Sequence, residues 1–192
     1  MDPLLGIPVG LALSTAAGLR VFIPLLITSL GARAGYLALT PGMSWMASDA
    51  ALVAFVTAAL VEVGAYYVPW LDNVADSIAT PAAITAGIIE MAAVTPDLPP
   101  LLRWTIAIIA GGGVAGVAQL GTTLLRLKSS AFTAGTGNPI LATGELIGSL
   151  AIAGLALLAP LVAAVLVAIL LVVFGRRLIR RRGRRRADLA AR

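Results

Sequence analysis

Cysteine and histidine are both absent from the chain. Without cysteine there is no disulfide framework and no thiolate metal site. Without histidine the commonest general base and the commonest transition-metal ligand are missing. Any proton chemistry therefore rests on carboxylates, tyrosine, lysine or arginine. Charge is scarce as well: 12% of the 192 residues are Asp, Glu, Lys or Arg, about half the fraction of a soluble domain. Hydrophobic residues make up 59%, and the mean hydropathy is +0.99. The apolar start does not read as a cleavable leader, because Asp2 stands where a basic region is expected and the stretch after it is too long.

The little charge present is unevenly placed. Nine of the 14 Lys and Arg lie at or after Arg176, in "GRRLIRRRGRRRADLAAR". Such a run can meet nucleic acid, but directly after a long apolar segment it reads as a cytoplasmic anchor that faces anionic lipid. The rest of the chain is slightly acidic and offers a duplex no basic face, so nucleic acid is not the expected partner.

A bilayer core takes about 20 mostly apolar residues per helix. Six stretches qualify: 4–30, 50–68, 74–95, 101–125, 139–158 and 160–178. The expected fold is all-α, a polytopic transmembrane bundle of about six spans with proline- and glycine-broken segments. The transmembrane domain would cover 1–178, followed by a basic cytoplasmic tail at 179–192. The "PDLPP" break at 96–100 divides 1–96 from 101–178. Three spans on each side of it would make the halves inverted repeats, although no residue-level match between them is visible. Counting Lys and Arg near the span ends places both termini, the 69–76 loop, Arg126 and Lys128 in the cytoplasm, and Arg33 and Arg103 outside. The expected location is a bacterial inner (plasma) membrane. A second copy of the chain is left open as a partner.

Chemistry in such a chain has few places to sit. Glu62 lies inside the second span and Glu145 at similar depth in the fifth, while Arg20 is deep in the first. An ionisable group within a span is costly and faces a polar interior, so an Arg20–carboxylate pair inside the bundle is the simplest arrangement. Glu90 is nearer the outer end of its span and is expected to reach the interface. Asp72 and Asp76 are four apart after Pro69. They read either as an N-cap and a first-turn acid or, with Asn73, as ligands for a divalent cation such as Mg²⁺. The loop "KSSAFTAGTGNPI", 128–140, gathers Thr133, Thr136 and Asn138 with two glycines. It reads either as an unwound stretch lining a cavity or as an ordinary linker. "GGGVAG", 111–116, fits a dinucleotide-binding pattern only by spelling, since no strand precedes it. Its content is Gly112 and Gly116, four apart, which permit close helix contact.

With "AAGLRVFIP" (16–24), Glu62 followed by Pro69, Asp72 and Asp76, and "TAGTGNP" (133–139) followed by Glu145, the chain resembles the uncharacterised DUF4126 family of small integral membrane proteins. The resemblance implies a polytopic bundle with a polar site shared by these segments, and no established activity. The family often carries an Asp–Lys pair before the proline, where this chain has Tyr66 and Tyr67. That departure puts in doubt any role needing a further carboxylate or lysine there.

Two functions fit these residues. One is a transporter or channel for an ion or small polar solute, with Glu62 and Glu145 binding a cation or carrying a proton, Arg20 as counter-ion, and Thr133, Thr136 and Asn138 lining the path. The other is a membrane-embedded enzyme acting on a lipid head group, with Asp72 and Asp76 holding the metal and Arg126 and Lys128 meeting phosphate. A non-catalytic subunit presenting its basic tail is the third alternative.

Overall fold

A computed structural model describes the backbone of residues 3–176 except 68, 96, 164, 168, 170, 171, 174 and 175. Side chains are described from residue 5 onward, apart from those same positions and 69–77. Among the described residues there are helices and turns but no strand. Seven α-helices follow in order: α1 (Pro3–Ala17), α2 (Phe22–Arg33), α3 (Asp49–Ala65), α4 (Pro69–Ala93), α5 (Pro100–Ile106), α6 (Gly113–Thr133) and α7 (Asn138–Leu158). A 3₁₀ segment, Pro41–Ala47, precedes α3, and a π segment, Ala107–Gly112, joins α5 to α6 in one 34-residue helix.

That long helix and α7 are long and apolar enough to cross a bilayer, and a third candidate is the 3₁₀ segment with α3, bent by 64°. The stretch 160–178 is described only in part, and the tail at 179–192 lies outside the described residues.

The expected span at 4–30 is instead two helices. Gly18 to Val21 interrupt it, and the amides at the break can be followed one by one, as buried donors must be. Those of Gly18, Leu19 and Arg20 still bond back to α1 carbonyls at Ser14, Thr15 and Ala16. Those of Val21 and Phe22 turn away to Glu62. Pro24 sits in the first turn of α2, where its missing donor costs nothing.

The two helices then run in opposite directions. Ascending α1, the contacts on α4 descend: Gly6 lies against Val94, Gly10 against Met91, and Ser14 donates to the Gly87 carbonyl at 2.8 Å. Along α7, α2 ascends from Arg20 at Ala142 to Gly31 at Leu157, whereas α1 reaches Ser149 from Ala16. The result is a helical hairpin whose arms, at 1.5 Å per residue, are roughly 22 and 18 Å long. Both fall short of a hydrocarbon core of about 30 Å. The start of α1 therefore lies at the end of the bundle shared by the α2 and α4 C-termini, opposite the α6–α7 turn.

α1 is the centre of the bundle and packs on α4, α7, α6 and α2. It is apolar nearly all round, and from Val9 to Ala17 every residue but the half-buried Leu11 is buried, as a helix enclosed by others requires. Its partners offer mainly small residues: Ala83 and Ala86 of α4 and Ala153 and Ala156 of α7 are buried in the same core, which lets backbones approach. One close crossing is between α4 and the π segment. A Cβ on Gly87 would lie 2.7 Å from the Gly111 carbonyl oxygen and 2.5 Å from Ala115 Cβ. Gly112 and Gly116 meet Ile84 and Ile88 side chains on the same face. Thr40 closes the C-terminus of α4, its hydroxyl donating to the Ala92 carbonyl at 2.7 Å and its amide to Ala93 at 2.8 Å.

Two local expectations change. Residues 128–133 continue α6, and the connection to α7 is a short turn with Ala134 at φ 50° and Gly135 at φ 88°. Its hydroxyls are spent within it: the Thr133 hydroxyl donates to Ser129 O and accepts from Gly137 N, and Thr136 donates to Thr133 O. Local side-chain bonding of this kind is what closes a helix–helix turn without unwinding either helix. At the other site, α4 begins at Pro69, so Asp72 lies inside the helix rather than at its N-cap. The side chains of Asp72 and Asp76, and with them the metal-site reading, lie outside the described residues.

Candidate functional site

At the tip of the α1–α2 hairpin, the break itself and three further helices, α3, α6 and α7, deliver charged or aromatic groups to one place. Glu62, in the last turn of α3, sets Oε1 2.7 Å from the Val21 amide and Oε2 3.0 Å from the Phe22 amide. It thus caps the N-terminus of α2 from another helix. Free amides and the helix dipole favour a negative charge at that position, and the sequence of α2 supplies no capping side chain of its own.

Arg20, one residue before these amides, is only 2% exposed. Its Nη2 donates to the Ala142 carbonyl at 2.8 Å and lies 3.2 Å from Glu145 Oε2. Glu145 also takes Arg126 of α6, whose Nε donates to Oε1 at 3.1 Å while Nη2 pairs with Oε2. This is the two-pronged guanidinium–carboxylate geometry. The Tyr66 ring fills the space between the cations, with the Arg20 guanidinium 3.9 Å from its centroid and that of Arg126 4.1 Å away. Both distances are within the range of cation–π attraction. Glu145 is 9% exposed, so the three-way ion pair is withdrawn from solvent.

The fold thus brings together Arg20, Glu62 and Glu145 of the residues singled out in the sequence. It does not bring in Thr133, Thr136 and Asn138, which belong to the α6–α7 turn about two helical turns away. The Asn138 side chain donates to Ser130 Oγ at 3.2 Å. Arg126, assigned above to the cytoplasmic surface, is buried instead, because Glu145 and Tyr66 supply the partners an interior arginine needs. Lys128, two residues on, is exposed.

Sequence reasoning gave Arg126 to a phosphate at the cytoplasmic face and gave Tyr66 no role, although both left a signal of their place in the cluster. Arg126 precedes the end of α6 by seven residues, and Glu145 follows the start of α7 by seven. Residues equally far from the turn of a helical hairpin pack at one level. Tyr66 follows Glu62 by four residues and so shares its helix face.

Glu90 differs from expectation too. It is fully buried in α4, two helical turns along α2 from the hairpin tip, and accepts a 2.6 Å hydrogen bond from Thr28. No group of three or more Asp or Glu side chains that could hold a metal occurs among the described residues.

The arrangement can hold a charge or hydrogen-bond a polar solute inside an apolar bundle. Its broken helix carries the polar contacts where backbone groups are left open. No curated protein and no solved structure matches the chain. The sequence pattern of DUF4126, a domain of unknown function, matches residues 7–181, a stretch that includes Arg20, Glu62, Arg126 and Glu145. The chain belongs to the DUF4126 family.

Proposed function

We propose that the protein is an integral membrane transporter or channel for an ion or small polar solute, with its polar path at the tip of the α1–α2 hairpin. The bilayer part rests on an inverted distribution of polarity. Leu101, Ile109, Leu120, Leu127, Ile140 and Leu158 lie exposed on the outer faces, while Arg20, Arg126, Glu90, Thr28 and Ser149 are buried. A soluble protein has the opposite arrangement. Apolar outer faces need an apolar solvent, and ionisable groups in such a protein face the interior or a cavity.

The observation that carries the transport reading is the short helical hairpin ending in a buried ion cluster. Irregular backbone at membrane depth is tolerated where it is enclosed by protein or lines a cavity. Broken helices whose ends meet polar groups are how solute sites are built in membrane transporters. The same hairpin changes the layout inferred from counting spans. With 4–33 entering and leaving at one side, the chain crosses five times rather than six, and its N-terminus sits on the side of residues 34–48. Two inverted groups of three spans do not fit that count. The lipid-enzyme reading loses Arg126, whose guanidinium is held by Glu145.

Reconstitution tests the reading directly. Proteoliposomes of the full chain, screened with several cations, several anions and a pH dye, should show flux of at least one solute. Arg20→Gln should reduce it to background, and the double variant Asp72→Asn/Asp76→Asn should keep most of it. Loss of a lipid-directed activity in the double Asn variant, with no flux in the wild type, would favour the enzyme.

A further inference from the structure

We propose that Glu90 is a proton-binding site, and that its proton is the transported or coupling ion of the transport reading. The proposal rests on that reading for its role in the membrane. It adds to the path a second ionisable site, two helical turns along α2 from the hairpin tip.

The carboxylates sort by what neutralises them. Glu145 lies between Arg20 and Arg126, Glu62 takes two backbone amides, Asp49 pairs with Arg33, and Asp97 is exposed. Glu90 alone among the described carboxylates is fully buried with neither a cation nor an amide. Its Oε2 takes the Thr28 hydroxyl at 2.6 Å, and Oε1 has no donor from the protein. The elements packed on α4 bring no charge to it either. α1, the 3₁₀ segment and the π segment carry no ionisable side chain. Arg33 of α2 and Asp49 of α3 neutralise each other, and Glu62 of α3 is held at the hairpin tip. Arg126 of α6 is taken by Glu145, Lys128 is exposed, and Arg103 of α5 makes no ion pair with Glu90.

An isolated carboxylate in such surroundings is costly enough that the group takes up a proton instead. The neutral acid also suits the contact present. Protonated on Oε2, it donates to the Thr28 oxygen, whereas the ionised form accepts from the same hydroxyl. One 2.6 Å contact thus serves both forms, so the group can gain and lose a proton without repacking its neighbour.

Position gives that proton a course to water. Glu90 lies three residues before Ala93, where α4 ends, and Thr28 five before Arg33, where α2 ends. Both helices finish at the side of residues 34–48, so the shortest course along the bundle axis leads there. In the proposed step the O–H bond of Glu90 breaks, the proton passes to water on that side, and the electron pair stays on the carboxylate. The charged form is enclosed again only when a proton returns, which ties closure of the bundle to protonation.

The full-length protein tests this in two settings. In detergent, infrared difference spectra between acid and alkaline buffers should show the carbonyl band of a protonated carboxyl, lost in Glu90→Gln and kept in Glu62→Gln. Because the folded form keeps a proton that the unfolded chain gives up, wild-type Tm should fall as pH is raised. Glu90→Gln, neutral at every pH, should lose that part of the fall. In proteoliposomes with a pH dye, Glu90→Gln should reduce proton movement to background. Should Glu90→Gln not fold, Thr28→Val carries the test: with its hydrogen bond gone the same band should move to higher wavenumber, and an unmoved band would overturn the assignment. A wild type without a band that Glu90→Gln removes also overturns it. So does a Tm raised by Na⁺ or Li⁺ in the wild type but not in Glu90→Gln, which would make the site one for a metal cation. Solute flux without proton movement, equal in wild type and Glu90→Gln, would remove the proton's role and leave transport standing. The Glu90 band with no flux of any solute, proton included, would do the reverse.

Discussion

Replacing Glu145 with leucine isolates the energetic role of the buried ion cluster. In the wild type its carboxylate lies between Arg20 and Arg126, whose side chains are 2% and 5% exposed. Glu145→Leu leaves two buried guanidinium groups facing each other across Tyr66 without their shared anion. Breaking a buried pair by removing one partner costs about 3–5 kcal/mol. For a chain of this length that corresponds to a fall in Tm of roughly 6–20 °C. The protein supplies its own control in Arg33 and Asp49, which lie 2.7 Å apart but are 36% and 90% exposed. Loss of an exposed pair of this kind costs at most about 1 kcal/mol, so Asp49→Ala should shift Tm by only a few degrees. Thermal unfolding of both variants in the same detergent, followed by tryptophan fluorescence, makes the comparison. A Glu145→Leu protein as stable as Asp49→Ala would refute the argument that the cluster is dry and mutually dependent. A second variant separates charge from packing: Arg20→Met/Glu145→Leu/Arg126→Met removes all three charges together and should recover most of the lost stability, since apolar replacement of a whole buried ion cluster is often neutral or better.

Three further outcomes follow from the packing and the topology. Gly87→Val should destabilise the bundle by about 1–3 kcal/mol through overpacking, because even a Cβ there meets the Gly111 carbonyl and Ala115; an unchanged Tm would mean that this crossing is loose. Thr28→Val removes the donor to Glu90 and should cost about 1–3 kcal/mol, whereas Thr28→Ser, which keeps the hydroxyl, should cost less; equal losses would assign the effect to the methyl group. In oriented vesicles, single cysteines at Ser44 and Ser130, both exposed and at opposite ends of the bundle, should label from opposite sides, and an N-terminal tag should be reached from the Ser44 side. Labelling of both cysteines from one side would refute the arrangement.

Much of the architecture is legible in residue types alone. The shortage of charge and the long apolar runs give a helical bundle with apolar outer faces, and Arg20, Glu62 and Glu145 stand out because ionisable side chains are rare in such runs. The hairpin at 18–21 is hidden for the same reason, since a run that is apolar on both sides of a reversal has the same hydropathy as a straight helix. Gly18 and Pro24 mark the place, but the group that makes the break tolerable is the Glu62 carboxylate, a tertiary contact with no local signature. Counting positive charges near span ends placed Arg126 at the surface. That rule treats each cation separately and does not register a carboxylate and an aromatic ring waiting at the same level. The hydroxyls of 129–136 looked like a solute path because polar groups cluster there. Their hydrogen bonds are instead consumed in closing a turn, which composition does not distinguish.

The distance in sequence between Arg20 and its partners has a consequence for how the protein is made. When the first thirty-odd residues leave the ribosome, the hairpin tip carries a guanidinium and two open amides but none of the groups that satisfy them. Glu62 is forty residues behind and Glu145 more than a hundred. At about 5–20 residues per second, the anion that pairs with Arg20 is roughly 6–25 s away. If the chain inserts into a bilayer as proposed, neither short helix can rest as a finished membrane segment during that interval. The N-terminal hairpin would then wait at the water interface or beside the insertion machinery, and take its central place only after α7 has been synthesised. The first part of the chain to be translated would be among the last to be buried.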